Sequence, residues 1–289
     1  MVWTANTLSP THRPFLSTML LLVGIVLFFG HSAAAQARED KVLVGGTGTA
    51  LGGVQIVAEA FRREHPGIAL TVLPSLGSGG GINALIAGKI DIALSARPLK
   101  ESEASEPIRA QEYARTPIVF AVGSENPVDD ITLQDAIAIY SGARATWPDA
   151  EPIRLILRPE TEADIALLKS MSPEMKDAVE TALSRSELHV AANDQDNADV
   201  LERVYGSLGV TTLGQIKAER RKLKPLAFNG VHGTVETIRS GEYPYAKRLY
   251  IVTRKDISGA AADFVTFIGS PEGQDLLRSS GHLPADDLP

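Results

Sequence analysis

The sequence predicts an α/β protein divided between two lobes. Short β-rich runs alternate with runs at helical spacing over most of the chain. In its first half, turns of small residues stand between strand and helix, the pattern of parallel βαβ units. The length of 289 residues also reaches the size at which one hydrophobic core gives way to two.

Lys41–Val44 is the first strand, followed by the turn Gly45-Gly46-Thr47-Gly48-Thr49. Val54, Val57 and Phe61, widened by Ile56 and Ala60, recur at the helical period until His65-Pro66-Gly67 breaks it. Ile68, Leu70 and Val72 alternate with Ala69 and Thr71, as in a half-buried strand. A second turn, Gly77 to Gly81, opens a helix carrying Ile82, Leu85 and Ile86, and Gly88 stops it. Ile90, Ile92 and Leu94 form the third strand, and Thr116–Val122 is another, ending at Glu125-Asn126-Pro127. Thr132 caps a helix with Leu133, Ile137 and Tyr140 on one face. Pro152–Leu157 reads as a strand and Thr161 as the start of a helix. Ser172-Pro173 starts another, with Met175, Val179 and Leu183 in register. Val190 to Asn197 is polar and reads as a loop. Leu249–Val252 is a strand, Ala262–Ile268 an amphipathic helix, and Ser270-Pro271-Glu272 restarts a helix. Crossings between lobes are expected near Thr116–Val122 and Glu242–Leu249.

The N-terminal segment has its own logic. Arg13 precedes an apolar run from Phe15 to Phe29, and Ser32-Ala33-Ala34-Ala35-Gln36-Ala37 supplies small residues of the A-x-A kind. This is the pattern of a secretory signal peptide, residues 1–37, with cleavage expected after Ala35 or Ala37 and delivery to the periplasm. The run is too short for a comfortable membrane span. The chain has no cysteine, so disulfides, thiolate metal ligands and a lipid-anchoring cysteine are excluded. The net charge of -7 and the lack of any Lys/Arg stripe exclude nucleic acid as an expected partner.

The small-residue turns are the chemically informative feature. Each stands between a strand and a helix, where free backbone N–H groups and the helix dipole favour an anion. Gly48 and Gly79 allow close approach of the backbone, while Thr47, Thr49 and Ser78 add hydroxyls. The third strand ends in Ser95-Ala96-Arg97, bringing a further hydroxyl and a guanidinium to the edge where open α/β sheets take ligands. Catalytic readings of these residues fail on spacing. Leu51 stands where a dinucleotide turn counted from Gly46 needs its third glycine. No Lys-Ser/Thr follows the glycines as in a P-loop, and Leu76 replaces the first glycine of a nucleophile elbow around Ser78. The six histidines form no i, i+4 pair, so no metal is expected, and no cofactor either.

From Val42 onward the chain resembles the phosphate-transport family of periplasmic substrate-binding proteins. The matching pieces are Gly-Thr-Gly-Thr at 46–49, Gly-Ser-Gly-Gly-Gly-Ile at 77–82 and Asp-Ile-Ala-Leu-Ser-Ala-Arg-Pro-Leu at 91–99. Asn126-Pro127-Val128, Ile139-Tyr140-Ser141-Gly142 with Trp147, Glu242-Tyr243-Pro244 and Ser270-Pro271-Glu272-Gly273-Gln274 follow in order. The resemblance implies a two-lobed Venus-flytrap fold with a mixed, mostly parallel sheet in each lobe. Lobe I would comprise 38–116 and 245–289, and lobe II 117–244. It implies a small, phosphate-like oxyanion as ligand, an ABC transporter permease or a membrane sensor as partner, a monomeric state and no catalysis. The anion contacts carried over are Thr49, Ser78, Ser95 and Arg158. An alternative is the same fold used as a sensor or partner-binding module without tight oxyanion binding.

Two departures stand out. Ala96 occupies a position where some members of the family have Asp, and Glu162-Ala163-Asp164 replaces the Ser-Gly-Thr that opens a helix onto the anion. With Thr161 as cap, Glu162 and Asp164 read as acids of a helix start that occupy its donors themselves, leaving Arg158 as the second lobe's grip on a ligand.

Overall fold

The computed structural model describes residues 40–288, so the expected signal peptide and its cleavage sites lie outside the described residues. The first half runs β1 (Asp40–Gly46), α1 (Gly48–Glu64), β2 (Ile68–Val72), α2 (Gly77–Ile86), β3 (Ile92–Ser95), α3 (Glu101–Ala104), β4 (Ile108–Gly123), β5 (Asp130–Ile131) and α4 (Leu133–Tyr140). Next come β6 (Arg154–Leu157), α5 (Ala163–Ser170), α6 (Pro173–Ser184), β7 (His189–Val190), α7 (Asp194–Arg203), β8 (Ser207–Thr212) and α8 (Leu213–Ala218). The chain ends with β9 (Leu223–Pro225), β10 (Ala227–Phe228), α9 (Val235–Ser240), β11 (Ala246–Arg254), α10 (Gly259–Ile268), α11 (Pro271–Ser279) and β12 (Leu283–Pro284).

The main sheet has the order β2-β1-β3-β11-β4-β8-β6-β7. Pairing is parallel from β2 to β3 and from β8 to β7, while β11 and β4 run antiparallel to their neighbours. Each end of this sheet is covered on both faces. On one side, Val54, Val57 and Phe61 of α1 pack with Val42, Val44, Leu94, Leu249, Phe264 and Phe267, while Ile82 and Leu85 of α2 cover the opposite face with Ala93 and Val252. On the other side, Ile118, Phe120 and Val122 of β4 face Tyr140, Ile165, Leu168, Met175 and Val179, and the intervening Val119 and Ala121 face Ala198, Leu201 and Ile216. Period-two alternation in β4 therefore feeds the cores on both faces of one half of the sheet, the other half has its own pair, and the protein has two lobes. A fully buried ring such as Phe61 contributes about 1.5–3 kcal/mol by leaving water.

Several expectations are corrected. Gly77–Gly81 is the first turns of α2, not a turn before it. Gly81 is required by packing: a Cβ there would lie 2.7 Å from Gly46 Cα. The strand expected over Thr116–Val122 begins at Ile108, because Arg109–Glu112 pair with β11 although their side chains are largely polar. Most important, the polar stretch from Val190 to Asn197 is not simply a loop. Asn193 accepts a hydrogen bond from the Asp196 N–H and starts α7 at Asp194.

The lobes also touch through glycine. A Cβ on Gly52 of α1 would lie 2.9 Å from Ala218 Cβ of α8, and the His282 ring fills the space beside Gly53 and Gly214. Burial pushes His282 down to about 4, so the ring is neutral where the two helices meet.

Candidate functional site

The first four residues of α1 lie at the carboxyl end of β1, and all of them are buried. Thr47 N–H donates to Leu94 O at 2.9 Å, which places this helix start beside the end of β3. An anion is already bound there, and the protein supplies it. Asp194, at the start of α7 in the opposite lobe, accepts from the Thr49 N–H through Oδ2 at 3.0 Å and from Thr49 Oγ1 through Oδ1 at 2.9 Å. Gly48 is what lets this carboxylate in, since a Cβ there would lie 2.7 Å from Asp194 Oδ2.

Two buried cations face the same carboxylate. Arg158, at the end of β6, is 1% exposed, and its Nη1 donates to Ala191 O at 2.8 Å. Its Nη2 lies 3.7 Å from Asp194 and 3.6 Å from Glu162, and its Nε lies 4.0 Å from Asp164. Among the described residues that buried Nε has no hydrogen-bond partner, so the guanidinium keeps an unused donor at the seat. Lys247, in β11, is buried too: its Nζ lies 2.5 Å from Asp164 Oδ1 and 3.9 Å from Asp194 Oδ1, and donates to Thr49 Oγ1 at 3.1 Å. Two cations thus meet two buried carboxylates, with Glu162 at the rim.

The acids at the start of α5 do not act as expected. The helix begins at Ala163 with Glu162 in the cap position and without a side-chain cap, so Thr161 is not its cap. Asp164 turns to Lys247 instead of satisfying its own helix start. Burial raises the Glu162 carboxyl above its usual range, more than the Arg158 charge lowers it. Asp194 goes the other way: burial would raise it, but Lys247, Arg158 and the Thr49 hydrogen bonds outweigh burial and hold it low. Glu162 therefore takes up its proton before Asp194 as the pH falls. Its raised value means that ionised Glu162 costs stability above that value, and the cost fades as the pH drops towards the ordinary 4.5. Glu162→Gln is expected to be more stable than the parent at pH 7, with the gap closing by pH 4.5. Urea midpoints of the two proteins at both pH values check this, and a gap that widens at low pH contradicts it.

Of the residues singled out in the sequence, Gly48, Thr49 and Arg158 come together here. Ser78, Gly79, Ser95 and Arg97 form an adjoining group with its own bonds. Ser78 Oγ accepts from the Ala96 N–H at 3.0 Å, and Ser95 Oγ donates to Arg97 O at 2.7 Å. Arg97 makes a two-pronged pair with Glu103, 2.7 Å on each side, so its guanidinium is engaged outside the seat. Gly79 leaves open space, with Arg97 Nη2 3.9 Å from where a Cβ would stand. The sequence patterns single out neither Asp194 nor Lys247, and they assign Asp164 to its own helix start. Lys247 shares strand parity with the core residues Leu249 and Ile251, which marks it as inward-facing. For Asp194 the usable signal was Asn193-x-x-Asp196 ahead of Ala198 and Leu201, an N-cap before a short apolar stripe.

The description "PBP superfamily domain" matches residues 31–272, most of the chain. This protein belongs to the PBP superfamily. Curated relatives of this PBP-superfamily chain include the phosphate-binding protein PstS of Borreliella burgdorferi, 26% identical over 260 residues, covering 86% of this chain and 91% of that protein. Protein SphX of Synechococcus elongatus is 26% identical over 282 residues, covering 86% and 79%. Among solved structures, a candidate phosphate ABC transporter substrate-binding protein of Clostridium perfringens with bound phosphate matches with a TM-score of 0.71 at 19% identity, over 85% of this chain and 100% of that one. A periplasmic phosphate-binding protein, PfluDING, bound with phosphate, matches with a TM-score of 0.62 at 13% identity, over 86% and 91%. These structural likenesses speak to the fold, and they agree with the two-lobed architecture expected from the sequence.

Proposed function

We propose that this protein is an extracytoplasmic solute-binding protein that captures a small oxyanion, with phosphate the first candidate, between its lobes for an ABC transporter or a membrane sensor. One observation carries the reading: the α1 start, Thr49, Arg158 and Lys247 already hold an oxyanionic group, the Asp194 carboxylate, with both of its oxygens engaged. Backbone N–H, hydroxyl, guanidinium and ammonium donors of this kind suit phosphate as well. The relatives named for phosphate binding support the same choice. Gly48, Thr49 and Arg158 are the proposed contacts, with Lys247 added. Ser95 and Arg97 would join only if the Ser95 hydroxyl and the guanidinium exchanged their present partners, whereas Ser78, which accepts from the Ala96 N–H, keeps its own O–H to donate beside Gly79.

The same reading places the mature chain in the periplasm after loss of residues 1–35 or 1–37 as a cleaved leader. It assigns 38–116 with 245–289 to one lobe and 117–244 to the other, and a monomer that binds its ligand without transforming it. A thermal-shift screen of the mature protein against phosphate, arsenate, sulfate, molybdate and phosphite tests it. Phosphate at 100 times its dissociation constant is expected to add about 2.7 kcal/mol of stability. If none of the five raises the melting temperature of the parent or of Asp194→Ala, the oxyanion reading fails. The second reading, a sensor or partner-binding module without tight oxyanion binding, draws on the balance of Asp164 and Asp194 against Arg158 and Lys247. A seat neutralised from within offers a further anion little net charge.

A further inference from the structure

We propose that Asp194 is the resident anion of the seat and its specificity-determining residue: an incoming oxyanion binds by displacing this carboxylate from Thr49, and until then the carboxylate ties the two lobes together. The ligand half of the inference rests on the oxyanion reading above; the tie between lobes does not.

The geometry is that of a built-in ligand. Asp194 belongs to the lobe whose core takes in Ala198 and Leu201, whereas Thr49 belongs to the helix that packs Val54, Val57 and Phe61 into the other. Both of its carboxylate oxygens accept from Thr49, and the group is buried between Arg158 and Lys247. The neighbouring residues hold it there. Gln215 Nε2 donates to Asp194 O at 3.0 Å, which fixes the start of α7. Gln195 Nε2 donates across the lobes to Gly48 O at 3.1 Å and back to Glu219 Oε1 at 2.9 Å. Gly48 has no room for a Cβ because the side chains of Asp194 and Gln195 stand in that space.

Charge and space both require exchange rather than addition. The donors of Thr49 are used, and a second anion beside an ionised Asp194 would meet a like charge in a site shielded from water. Once Asp194 is withdrawn, Thr49 regains an N–H and a hydroxyl, and Arg158 and Lys247 face only Asp164 among the buried acids. The affinity seen for a free oxyanion is then its intrinsic affinity reduced by the fraction of molecules in which Asp194 has left. Only an anion that engages the Thr49 donors better than a carboxylate does will bind well, so Asp194 acts as a selectivity threshold.

The test compares the mature parent with Asp194→Ala, which empties the seat, and Asp194→Asn, which keeps the shape without the charge and serves if the alanine variant does not fold. Inorganic phosphate is titrated by calorimetry, and small-angle scattering in phosphate-free buffer gives the radius of gyration. The inference expects phosphate to bind Asp194→Ala roughly thirtyfold tighter than the parent or more, with Asp194→Asn between them. It also expects a larger radius of gyration for Asp194→Ala. Equal phosphate affinities in parent and variants would overturn displacement while leaving the oxyanion reading standing. If neither parent nor variants bind phosphate, the oxyanion reading falls for phosphate, displacement by it falls too, and scattering alone judges the tie. An expanded Asp194→Ala supports the tie, and an unchanged radius overturns it.

Discussion

Lys247→Met is expected to destabilise the protein by about 3–5 kcal/mol, because it leaves buried Asp164 without its closest counter-charge. The ammonium lies 2.5 Å from Asp164, both side chains are almost wholly shielded from water, and Arg158 approaches Asp164 only to 4.0 Å. Burial alone would lower the Lys247 ammonium, yet Asp164 and Asp194 outweigh burial and hold it raised and charged. Methionine matches the aliphatic stem, so the loss comes from charge and not from a cavity. A second substitution separates these causes. Lys247→Met with Asp164→Leu removes the pair together and should recover most of the loss, since apolar replacements of buried ion pairs are often neutral or better. Urea unfolding checks this: the single variant lowers the midpoint, and the double variant restores it with the slope unchanged. A single variant as stable as the parent would mean that water reaches Asp164.

Arg158→Ala carries two losses. Stability should fall by about 3–5 kcal/mol, because Asp164 and Asp194 lose a buried cation and Ala191 O loses its donor. Affinity for phosphate should fall by about 2–5 kcal/mol, the range for truncating one side of a buried charge pair. Arg158→Lys tests the second loss more cleanly. It keeps one positive charge but not the planar fork, of which Nη1 is spent on Ala191 and Nε remains unpaired. Binding by Arg158→Lys should lie between that of the parent and the alanine variant, in calorimetric titrations at one pH and salt concentration. An unchanged dissociation constant in Arg158→Ala would remove this residue from the ligand's contacts.

The two substitutions expose different degrees of legibility. Arg158 could be found from the sequence because it follows an apolar strand in a segment that resembles a known family. Lys247 lies beside Arg248 in a stretch that looks like an ordinary charged strand end, and only its parity with Leu249 and Ile251 distinguishes it. Asp194 was hidden in the run Ala192-Asn193-Asp194-Gln195-Asp196-Asn197, whose polarity matches that of a solvated loop. Low hydrophobicity reports that a segment does not fill a core. It does not say whether the polar groups face water or the other lobe.

What the sequence determined by itself is local and periodic. The strands and helices around Val42–Leu94, the helix starts at Thr132, Ser172 and Ser270, and the α/β class follow from patterns within a turn or a strand of each residue, while the two lobes follow from chain length and family resemblance. What only the tertiary structure decided is the occupancy of the seat. Thr49 and Asp194 are 145 positions apart, Thr49 and Lys247 198 apart, and each pairing forms across elements that no local pattern links. A helix start carries the same free N–H groups whether a free anion or the protein's own carboxylate takes them, so the sequence marks the α1 start as a candidate anion seat without revealing that Asp194 stands in it.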